Sequence, residues 1–417
     1  MARRPKSLVR RFGAFVRRRT EFNLAMLARR RNRNTRYVSV TGSSAKTTTC
    51  GLLDHILAPA APTATLVVNN TLPAVARFLR TVTADHDFAV IETGIDGPDR
   101  MLHLARLIRP HVGIVTMIGL EHRKTMRSVD IVAAEKGILA EHLAHNGVAL
   151  LNADDDKTSE LEARANGRVI KFGRNKPADY RAHSVSAGLP NRLTLKISGP
   201  ECDLALKTQL IGEHFWLPVT AAVACASHLG VPPDTIARQV ASFPPPPDRC
   251  GLLELPGERT VVLDTFKAPQ HSLPLAFDLV RTASAVHKRV IVGQLSDTTG
   301  SSRTAYRRAY RLAREVADEV IFVGEHAHRH NAPAGDIENG RVKEFREVIE
   351  LAEYLKETAV PGELILLKSN AKLHLERAAL AQVETVVCWE RNCGLKTFCR
   401  HCEYYESPRQ QRSDQQK

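Results

Sequence analysis

Residues 37–57 read YVSVTGSSAKTTTCGLLDHIL, and this stretch determines how the first half of the chain is organised. Its first four residues favour a β-strand, and Leu52, Leu53, Ile56 and Leu57 recur at helical spacing near its end. A loop of small residues that ends in lysine and threonine joins the two elements. In this context backbone N–H groups converge on phosphates at a helix N-terminus, the lysine supplies positive charge and a hydroxyl reaches magnesium. The stretch therefore predicts a phosphate-binding loop (P-loop), with an ordinary strand-to-helix turn as the alternative.

The loop departs from the usual G-x-x-x-x-G-K-[ST] pattern in two respects. It is shorter, and Ala45 stands where a glycine is expected. If this position requires a positive φ angle, the Cβ atom of Ala45 costs about 1–2 kcal/mol.

The overall composition is that of a globular protein. The 417 residues are 43% hydrophobic and 25% charged, which excludes global disorder and provides enough chain for two or three domains. Eight cysteines are present, and their spacing does not suggest a secreted disulfide framework. No apolar stretch is long enough to span a bilayer, and no apolar signal-peptide core follows the first arginines. We therefore expect a cytoplasmic protein.

The positive charge of the chain is concentrated at its N-terminus. Residues 1–36 contain thirteen Lys and Arg residues and one Glu, so they carry +12 of the net charge of +14. Leu8, Phe12, Phe15 and Val16 recur at roughly helical spacing between arginines. This pattern predicts an amphipathic basic helix on an anionic membrane surface or on nucleic acid. The alternatives are a solvated extension, a first helix that packs on the body, and an organelle transit peptide.

Three polar residues follow the P-loop at positions that suit a ligand site. A strand predicted at 88–91 runs into Glu92, His122 lies shortly after the next strand, and Lys136 lies on a predicted helix. Open α/β sheets bind ligands at the carboxyl ends of their strands, where Glu92 and His122 fall. Individually these residues also fit ordinary roles, as a helix cap, a loop histidine and a lysine that faces solvent or pairs with Glu121 or Glu135.

The second half of the chain alternates strands with helices. Strands are predicted at 260–264, 289–293, 319–323 and 363–367, and helices at 303–316 and 344–357. Such alternation predicts a parallel sheet covered by helices, so the predicted fold class is α/β. The proline run at 244–247 is too stiff for a helix and predicts a hinge between domains.

The C-terminal tail contains four closely spaced cysteines. Cys388, Cys393, Cys399 and Cys402 lie within fifteen residues, and His401 precedes the last of them. Four thiolates this close suit a tetrahedral zinc ion (Zn²⁺), which would stabilise the fold of a segment too short for a core of its own. The alternative is a set of reactive or incidental cysteines.

Several segments occur together in an order that resembles a known family. In the first half they are TGSSAKTTT, VVNNTLP, VIETGIDGP, VTMIGLEH, AAEKGIL and LLNADD. In order and spacing they resemble the central ATPase domain of the Mur ligases, most closely the subgroup that adds D-alanyl-D-alanine to the UDP-muramoyl tripeptide. The resemblance continues through LIGEHFWLPVTAAVACASHLGV, FPPPPDR, VVLDTFKAP and ELILLKSN, so it covers residues 37 to about 385.

The resemblance implies a division into four segments and a reaction. The segments are a basic arm (1–36), a P-loop ATP-binding domain (37–248), a Rossmann-like C-terminal domain (249–386) and a Cys-rich tail (387–417) that the family pattern lacks. The implied reaction is ATP-dependent amide ligation. A carboxylate attacks the γ-phosphate of ATP, and an amine then displaces phosphate from the acyl phosphate. Such chemistry needs charge neutralisation on the phosphoryl group more than a protein nucleophile.

Carried over by position, the resemblance assigns catalytic and metal-binding roles to five residues. Lys46 is implied to bind the β- and γ-phosphates of ATP, and Thr47 and Glu92 to ligate a first magnesium ion (Mg²⁺). His122 and Lys136 are implied to support a second magnesium ion. In the family the matching lysine is carbamylated, which converts its ammonium into a carboxylate. Lys46, His122 and Lys136 are therefore the predicted catalytic residues.

The remaining implied residues contact ATP or the amine substrate. The predicted ATP-binding residues are Gly42, Ser43, Ser44, Ala45, Lys46, Thr47, Thr48, Arg249 and Asp264. The residues predicted to face the amine substrate are Lys267, Lys368 and Asn370. The C-terminal domain is implied to close over ATP and to bring the amine.

Two departures from the family concern the substrates. Phe215 and Pro218 replace two asparagines that follow His214, so contact with the nucleotide base is not implied. The thirty-six residues ahead of Tyr37 are too few for the family's N-terminal domain, which binds the UDP part of the precursor. We therefore predict a Mur-type amide ligase whose carboxylate acceptor is not UDP-linked, for instance lipid-linked or polymeric. The alternatives are a shortened D-alanyl-D-alanine ligase and a nucleotide-binding regulator or scaffold that has lost turnover.

Overall fold

A computed structural model describes residues 8–121, 125–200, 202–298, 300–391 and 393–406. The chain forms two compact units. The first comprises the residues up to 185 together with 194–208 and 215–243, and the second comprises 186–193, 209–214 and the residues from 244 onward. None of the helices in the described part of the chain combines the length and the apolarity that crossing a bilayer requires.

The first unit is a parallel sheet covered by helices. Its helices are α1 (Leu8–Arg31), α2 (Lys46–Leu57), α3 (Leu72–Leu79), α4 (Arg100–Ile108), α5 (Val129–Glu141), α6 (Thr158–Arg164), α7 (Trp216–His228) and α8 (Pro233–Ser242). The strands of its sheet are β1 (Arg36–Thr41), β2 (Thr63–Leu66), β3 (Phe88–Glu92), β4 (Val112–Val115), β5 (Val148–Asn152), β6 (Arg168–Gly173), β7 (Tyr180–Gly188), β8 (Asn191–Gly199) and β9 (Cys202–Lys207).

The strand order of this sheet brings the predicted site residues to one edge. The order is β2-β3-β1-β4-β5-β6-β7-β8-β9, with parallel pairing from β2 to β7 and antiparallel pairing of β8 with β9. β1 lies between β3 and β4 and is buried from Tyr37 to its end. Because strands covered by helices on both faces bury all their side chains, β1, β3 and β4 consist largely of apolar residues. Their carboxyl ends meet at the edge where α/β sheets bind ligands.

The basic arm is largely a helix, α1, and the second half of this helix packs on the first unit. Ala25 is fully buried in the core of that unit, and α1 contacts α3 and α4. Arg29 donates to the carbonyl of Ile108 at 2.7 Å and stacks 3.9 Å from the centre of the Tyr37 ring. Asn32 is buried and donates to a backbone carbonyl after α3. For this half of the helix, the structure favours the alternative of a first helix packed on the body.

The second unit is a smaller α/β sheet. Its strands are β10 (Gly251–Leu255), β11 (Arg259–Asp264), β12 (Lys288–Val292), β13 (Glu319–Val323), β14 (Val342–Phe345) and β15 (Leu364–Lys368). Its helices are α9 (Leu273–Thr282), α10 (Ser302–Ala313), α11 (Ala334–Glu338), α12 (Val348–Glu357) and α13 (Glu376–Leu380). The order is β10-β11-β15-β12-β13-β14, and all pairs are parallel except β10 with β11.

The predicted α/β fold class is confirmed, and two details of the predicted elements are corrected. The helix predicted at 344–357 begins at Val348, because residues 342–345 pair with β13 as an edge strand. The sequence also did not predict the strands β6 to β9. Their polar and apolar residues alternate because one face of each strand is exposed, as the burial of β9 shows, so they lack the continuous apolar runs of β1 and β3.

Candidate active site

The predicted P-loop lies between the central strand β1 and the largely buried helix α2. Gly42 has a φ angle of +147°, and a Cβ atom at this position would lie 1.9 Å from Thr116 Oγ1, so the position requires glycine. The Ser43 hydroxyl donates to the carbonyl of Gly119 at 2.7 Å. Thr116 Oγ1 donates to the carbonyl of Ser44 at 2.6 Å. These contacts hold the loop against the segment that follows β4.

Ala45 occupies the position where the sequence pattern predicts glycine. It is the N-cap residue of α2, with a φ angle of +66° and a ψ angle of −10°. Its carbonyl accepts hydrogen bonds from the backbone N–H and the hydroxyl of Thr49, both at 2.9 Å, so it opens the helix. The position therefore requires the left-handed conformation, which strains any residue that has a Cβ atom.

We expect Ala45→Gly to raise the free energy of unfolding by about 1 kcal/mol, because glycine adopts the left-handed conformation without a Cβ contact. Ala237→Gly is the matched control. Ala237 lies in the middle of α8 in the same unit, where glycine costs about 1 kcal/mol relative to alanine. Chemical denaturation of both variants measures the two changes. Equal destabilisation by both substitutions would contradict the strain at Ala45.

The first residues of α2 carry the charge and the hydroxyl that the P-loop prediction requires. Lys46 is 7% exposed and donates from Nζ to the carbonyl of Gly42 across the loop. Thr47 Oγ1 donates to Glu92 Oε2 at 2.8 Å. Glu92 is the last residue of β3, and only 3% of it is exposed. The structure thus brings three of the predicted residues together. Lys46 supplies a cation at the loop, and the hydroxyl of the adjacent Thr47 contacts the Glu92 carboxylate.

Glu92 is held by two donors that the sequence did not predict. The backbone N–H of Val68 donates to Glu92 Oε2 at 2.9 Å, and Asn70 Nδ2 donates to Glu92 Oε1 at 2.9 Å. Val68 has a φ angle of +67°, which is strained for a β-branched residue. A Cβ atom on Gly94 would lie 2.4 Å from Asn70 Nδ2, so the close approach of these segments depends on glycine. Both donors belong to the VVNNTLP segment, residues 67–73, which was the feature of the sequence from which they could have been predicted.

Lys136 is buried in an ion pair. It lies on α5, and its Nζ atom is 2.6 Å from Glu121 Oε1, with side-chain exposures of 0% and 4%. The neighbouring Glu135 accepts the backbone N–H groups of Asp99 at 2.7 Å and Met101 at 3.4 Å, at the N-terminus of α4. α5 therefore uses one side chain to cap α4 and the next to neutralise Glu121. Of the alternatives that the sequence left open for an uncarbamylated Lys136, the structure shows the pair with Glu121.

In the second unit, three predicted residues meet at the ends of two adjacent strands. Lys368 ends β15 and lies opposite Asp264, which ends β11. The Lys368 ammonium donates to Asp264 Oδ2 at 2.6 Å and to the carbonyl of Lys267 at 2.8 Å. Lys368 is 2% exposed, whereas Lys267 is an exposed residue. The buried pair therefore fixes the backbone from which Lys267 projects.

Three further residues that the family pattern singles out also lie in the second unit. The Arg249 guanidinium lies 4.1 Å from the centre of the Phe266 ring. Asn370 Oδ1 accepts the backbone N–H of Lys372 at 3.0 Å, which turns the chain after β15. Burial lowers the pKa of His214 to about 4, so this histidine is neutral at pH 7.

The two residues that replace the family's asparagines are packing residues. Phe215 is 5% exposed and immediately precedes α7. Pro218 is buried in the first turn of α7, where a backbone N–H has no intrahelical partner and proline is tolerated. Neither residue offers a polar side chain to a nucleotide base.

A cavity of about 270 Å³ opens at the carboxyl ends of strands in the second unit. Gln294, Glu325 and Arg346 line it and follow β12, β13 and β14, and Lys372 lines it after β15. Residues 389–391 of the tail form part of its wall. Parallel sheets bind ligands at this edge. The sequence did not predict the cavity, because its lining comes from four separate loops and the tail.

The structure places the tail cysteines around a histidine of the second unit. Cys393 Sγ lies 2.9 Å from His374 Nε2, and Cys399 Sγ lies 3.4 Å from His374 Nδ1. In the described part of the chain, one group of at least three metal-binding side chains has its ligand atoms within 4.8 Å of one another, and it consists of His374, Glu376 and Cys399. Two of the four predicted cysteines therefore lie beside a histidine that the sequence did not indicate.

The residues of the loop fit ATP and magnesium. A loop of small residues at the N-terminus of α2 offers backbone N–H groups to phosphate, and the Thr47 hydroxyl touches the Glu92 carboxylate, which is an oxygen donor set that magnesium prefers. The predicted second magnesium involves Lys136, which forms an ion pair, and His122, which lies outside the described residues.

A loop of small residues that ends in lysine, on the central strand of a parallel sheet and with a carboxylate at the end of the adjacent strand, is the arrangement with which α/β proteins bind nucleotide phosphates. The family model of the Mur ligase middle domain matches residues 40–226. Residues 40–226 are therefore a Mur ligase middle domain. The resemblance predicted from the sequence motifs is confirmed.

Named relatives cover most of the chain. The UDP-N-acetylmuramoyl-tripeptide–D-alanyl-D-alanine ligase of Bacillus subtilis is 23% identical over 361 residues, which is 84% of this chain and 76% of the relative. The UDP-N-acetylmuramyl-tripeptide synthetase of Deinococcus radiodurans is 28% identical over 392 residues, with coverages of 85% and 77%. The structure of the MurF ligase of Thermotoga maritima in complex with ADP shares the fold, with a TM-score of 0.76, 19% identity and coverages of 87% and 83%.

Proposed function

We propose that the protein joins a carboxylate acceptor to an amine through an amide bond, at the expense of ATP. The observation that carries the proposal is the contact between the Thr47 hydroxyl and the Glu92 carboxylate beside Lys46, on a loop shaped for phosphate. In the proposed reaction the acceptor carboxylate attacks the γ-phosphorus of ATP and ADP leaves. The amine then attacks the carbonyl carbon of the acyl phosphate, inorganic phosphate leaves, and the amine nitrogen loses a proton. The protein residues act by positioning the reactants and by neutralising charge.

Each of these residues has a separate part in the proposed reaction. Lys46 exchanges its hydrogen bond with the Gly42 carbonyl for the β- and γ-phosphate oxygens of ATP. Thr47 and Glu92 hold magnesium, which when bound neutralises negative charge on the transferring phosphoryl group. The Asn70 amide orients the Glu92 carboxylate by donating to the oxygen that does not contact Thr47.

We assign Lys136 the role of a carbamate that supports a second magnesium ion together with His122. As an ammonium, Lys136 neutralises Glu121 at a distance of 2.6 Å. As a carbamate, it would place a second negative group in the same buried site. Two buried negative groups require a cation between or beside them. Carbamylation of Lys136 and binding of the second magnesium ion are therefore linked in this proposal.

The amine substrate is proposed to bind in the cavity of the second unit. Arg346 and Lys372 on its rim are exposed cations, which suit the carboxylate of an amino acid or a dipeptide. Lys368 and Asn370 act as positioning residues in this proposal. The Lys368 ammonium is already paired with Asp264, and the Asn370 side chain turns the loop that leads to Lys372.

The carboxylate acceptor is proposed to be lipid-linked or polymeric and anionic, so that the protein acts at the membrane surface in the lipid-linked case. The basic first half of α1 supports this choice, because each Lys or Arg near an anionic surface contributes about 1 kcal/mol of attraction. A UDP-linked tripeptide is the second candidate, favoured by the similarity to the Bacillus subtilis enzyme. A nucleotide-binding scaffold without turnover is the third, favoured by the strained Ala45 and by the apolar Phe215 and Pro218.

The proposed bound ions are two magnesium ions in the first unit and one structural zinc ion in the second. The zinc follows from the spacing of the tail cysteines and from the buried group of His374, Glu376 and Cys399. A structural metal would stabilise a tail that has little core of its own.

Phosphate release from ATP tests the proposed function across a panel of acceptors and amines. The panel contains UDP-linked, lipid-linked and polymeric carboxylates, each with amino acids or dipeptides, and the amide product is identified by mass spectrometry. We expect phosphate release only when an acceptor and an amine are both present. ATP binding without turnover for every pair would favour the scaffold instead.

Deleting residues 2–17 tests the choice of acceptor. The deletion removes six Lys and Arg residues but keeps Ala25, Arg29 and Asn32, which pack on the first unit. We expect the KM for the lipid-linked or polymeric acceptor to rise about tenfold or more, which corresponds to at least about 1.4 kcal/mol. The KM for ATP should stay unchanged, and salt should weaken acceptor binding only in the full chain. Equal KM values in both proteins would make residues 2–17 a solvated extension.

A further inference from the structure

The tail meets the second unit at a buried group of metal-binding side chains that the ligase reaction does not use. His374, Glu376 and Cys399 are 2%, 3% and 6% exposed. His374 Nδ1 lies 3.4 Å from Cys399 Sγ and 3.3 Å from Glu376 Oε1. An imidazole, a carboxylate and a thiol are thus gathered away from solvent, with their ligand atoms within 4.8 Å of one another.

These separations match those between the ligands of a single tetrahedral zinc ion. Bond lengths of about 2.3 Å for Zn–S and about 2.0 Å for Zn–N and Zn–O place a nitrogen and a sulfur ligand about 3.5 Å apart. They place a nitrogen and an oxygen ligand about 3.3 Å apart. Thiolate, imidazole and carboxylate are all zinc ligands, whereas magnesium and calcium prefer oxygen alone.

The second ring nitrogen of His374 also has a defined partner. His374 Nε2 lies 2.9 Å from Cys393 Sγ. A histidine that binds a metal through one nitrogen usually donates the N–H of the other to an acceptor, which fixes its tautomer. Since one imidazole cannot offer both nitrogens to one ion, Cys393 is the acceptor and not a ligand. The remaining thiols of the tail, Cys388 and Cys402, are the candidates for a fourth ligand, and either would have to move toward the group of three.

We propose that the protein binds one structural zinc ion through His374 Nδ1, the Glu376 carboxylate, Cys399 Sγ and one further thiolate of the tail. This donor set differs from the four cysteines that the spacing predicts. Two of its ligands belong to the body of the second unit, at the start of α13, so the ion ties the tail to that body.

The same short segments form a wall of the cavity in the second unit. Arg377, which follows the ligand Glu376, donates to the carbonyl of Cys388 at 2.8 Å and to the carbonyl of Glu390 at 2.8 Å. Arg377 and residues 389–391 line the cavity. Loss of the metal is therefore expected to displace Trp389 from the cavity wall.

Metal analysis of the full chain, purified without chelator, tests the proposal. We expect about one zinc ion per chain, removable by a chelator and restored by added zinc. Cys399→Ser should lose the zinc, whereas Cys393→Ser should retain it, because serine keeps an acceptor for His374. One of Cys388→Ser and Cys402→Ser should lose it as well. A full chain without zinc, or zinc retained in Cys399→Ser, overturns the proposal.

A control variant separates loss of the metal from loosening of the tail. Glu384 accepts hydrogen bonds from Arg400 at 2.9 Å and Tyr405 at 2.6 Å but is not a proposed ligand. Glu384→Gln should therefore loosen the tail toward protease while it retains one zinc ion per chain. In a Trp216→Phe background, the fluorescence of Trp389 should shift to the red on chelation and return with added zinc. Fluorescence that does not respond to removal of the zinc overturns its role in holding the tail.

Discussion

Lys46→Ala is expected to lower the kcat of ATP-dependent phosphate release by at least about 10²–10³-fold, the loss that follows removal of one oriented donor to developing charge. Lys46 is the cation of the loop, and its ammonium already spans the loop to the Gly42 carbonyl. The substitution removes one hydrogen bond, so the free energy of unfolding should fall by only about 1 kcal/mol. Steady-state phosphate release and chemical denaturation measure the two effects.

The matched control for this variant is Lys207→Ala. Lys207 is an exposed lysine on β9 in the same unit, so its loss changes the net charge equally without touching the loop. Lys46→Met keeps most of the side-chain volume and should show the same loss of kcat as Lys46→Ala. Unchanged nucleotide affinity and turnover in a folded Lys46→Ala variant would reject the loop as the phosphate site.

Lys136→Ala is expected to lose most ligase activity, and small carboxylic acids at high concentration should restore part of it. The physical reason is that the proposed carbamate is a carboxylate, which acetate or formate can replace in the vacated space. Lys46→Ala should show no such rescue, because a cation is missing there. Near-normal turnover of Lys136→Ala would contradict the carbamate and, with it, much of the case for a second magnesium ion.

The stability of Lys136→Ala needs its own control. The substitution leaves Glu121 as a buried carboxylate without its cation, which costs about 3–5 kcal/mol. The double variant Lys136→Ala with Glu121→Gln removes this charge and should recover most of the lost stability. Recovery of stability without recovery of turnover would show that Lys136 has a role in the reaction beyond neutralising Glu121.

Carbon-13 NMR with labelled bicarbonate detects the carbamate itself. We expect a carbamate signal from the parent protein only when magnesium is present. Without the metal, the ammonium of Lys136 is stabilised by Glu121, whereas a carbamate would be repelled by the same carboxylate. A signal of equal strength with and without magnesium would contradict the proposed linkage.

Local sequence patterns were sufficient to predict the fold class and to single out the residues that meet at one edge of the first sheet. The alternation of apolar strands with helices predicts parallel sheets, because strands covered on both faces must be apolar. The small-residue loop before Lys46 predicts a phosphate site, because strand, loop and helix are adjacent in the chain. Glu92 was predicted as a ligand from its place at the end of a strand, and the structure brings it to Thr47 although 45 residues separate them.

The contacts that decide how the site works depend on residues that sequence spacing does not relate. Lys136 pairs with Glu121 and not with the adjacent Glu135, because the packing of α5 turns Glu135 to the N-terminus of α4. The sequence predicted strain at Ala45 only if its φ angle is positive, and the structure gives that angle as +66°. The sequence determined which residue types are available at the ends of strands and in the tail. The tertiary structure decided their partners, and it alone brought His374 to Cys399. Pairing across a sheet or between a tail and a body depends on strand order and packing, which are not encoded in local spacing.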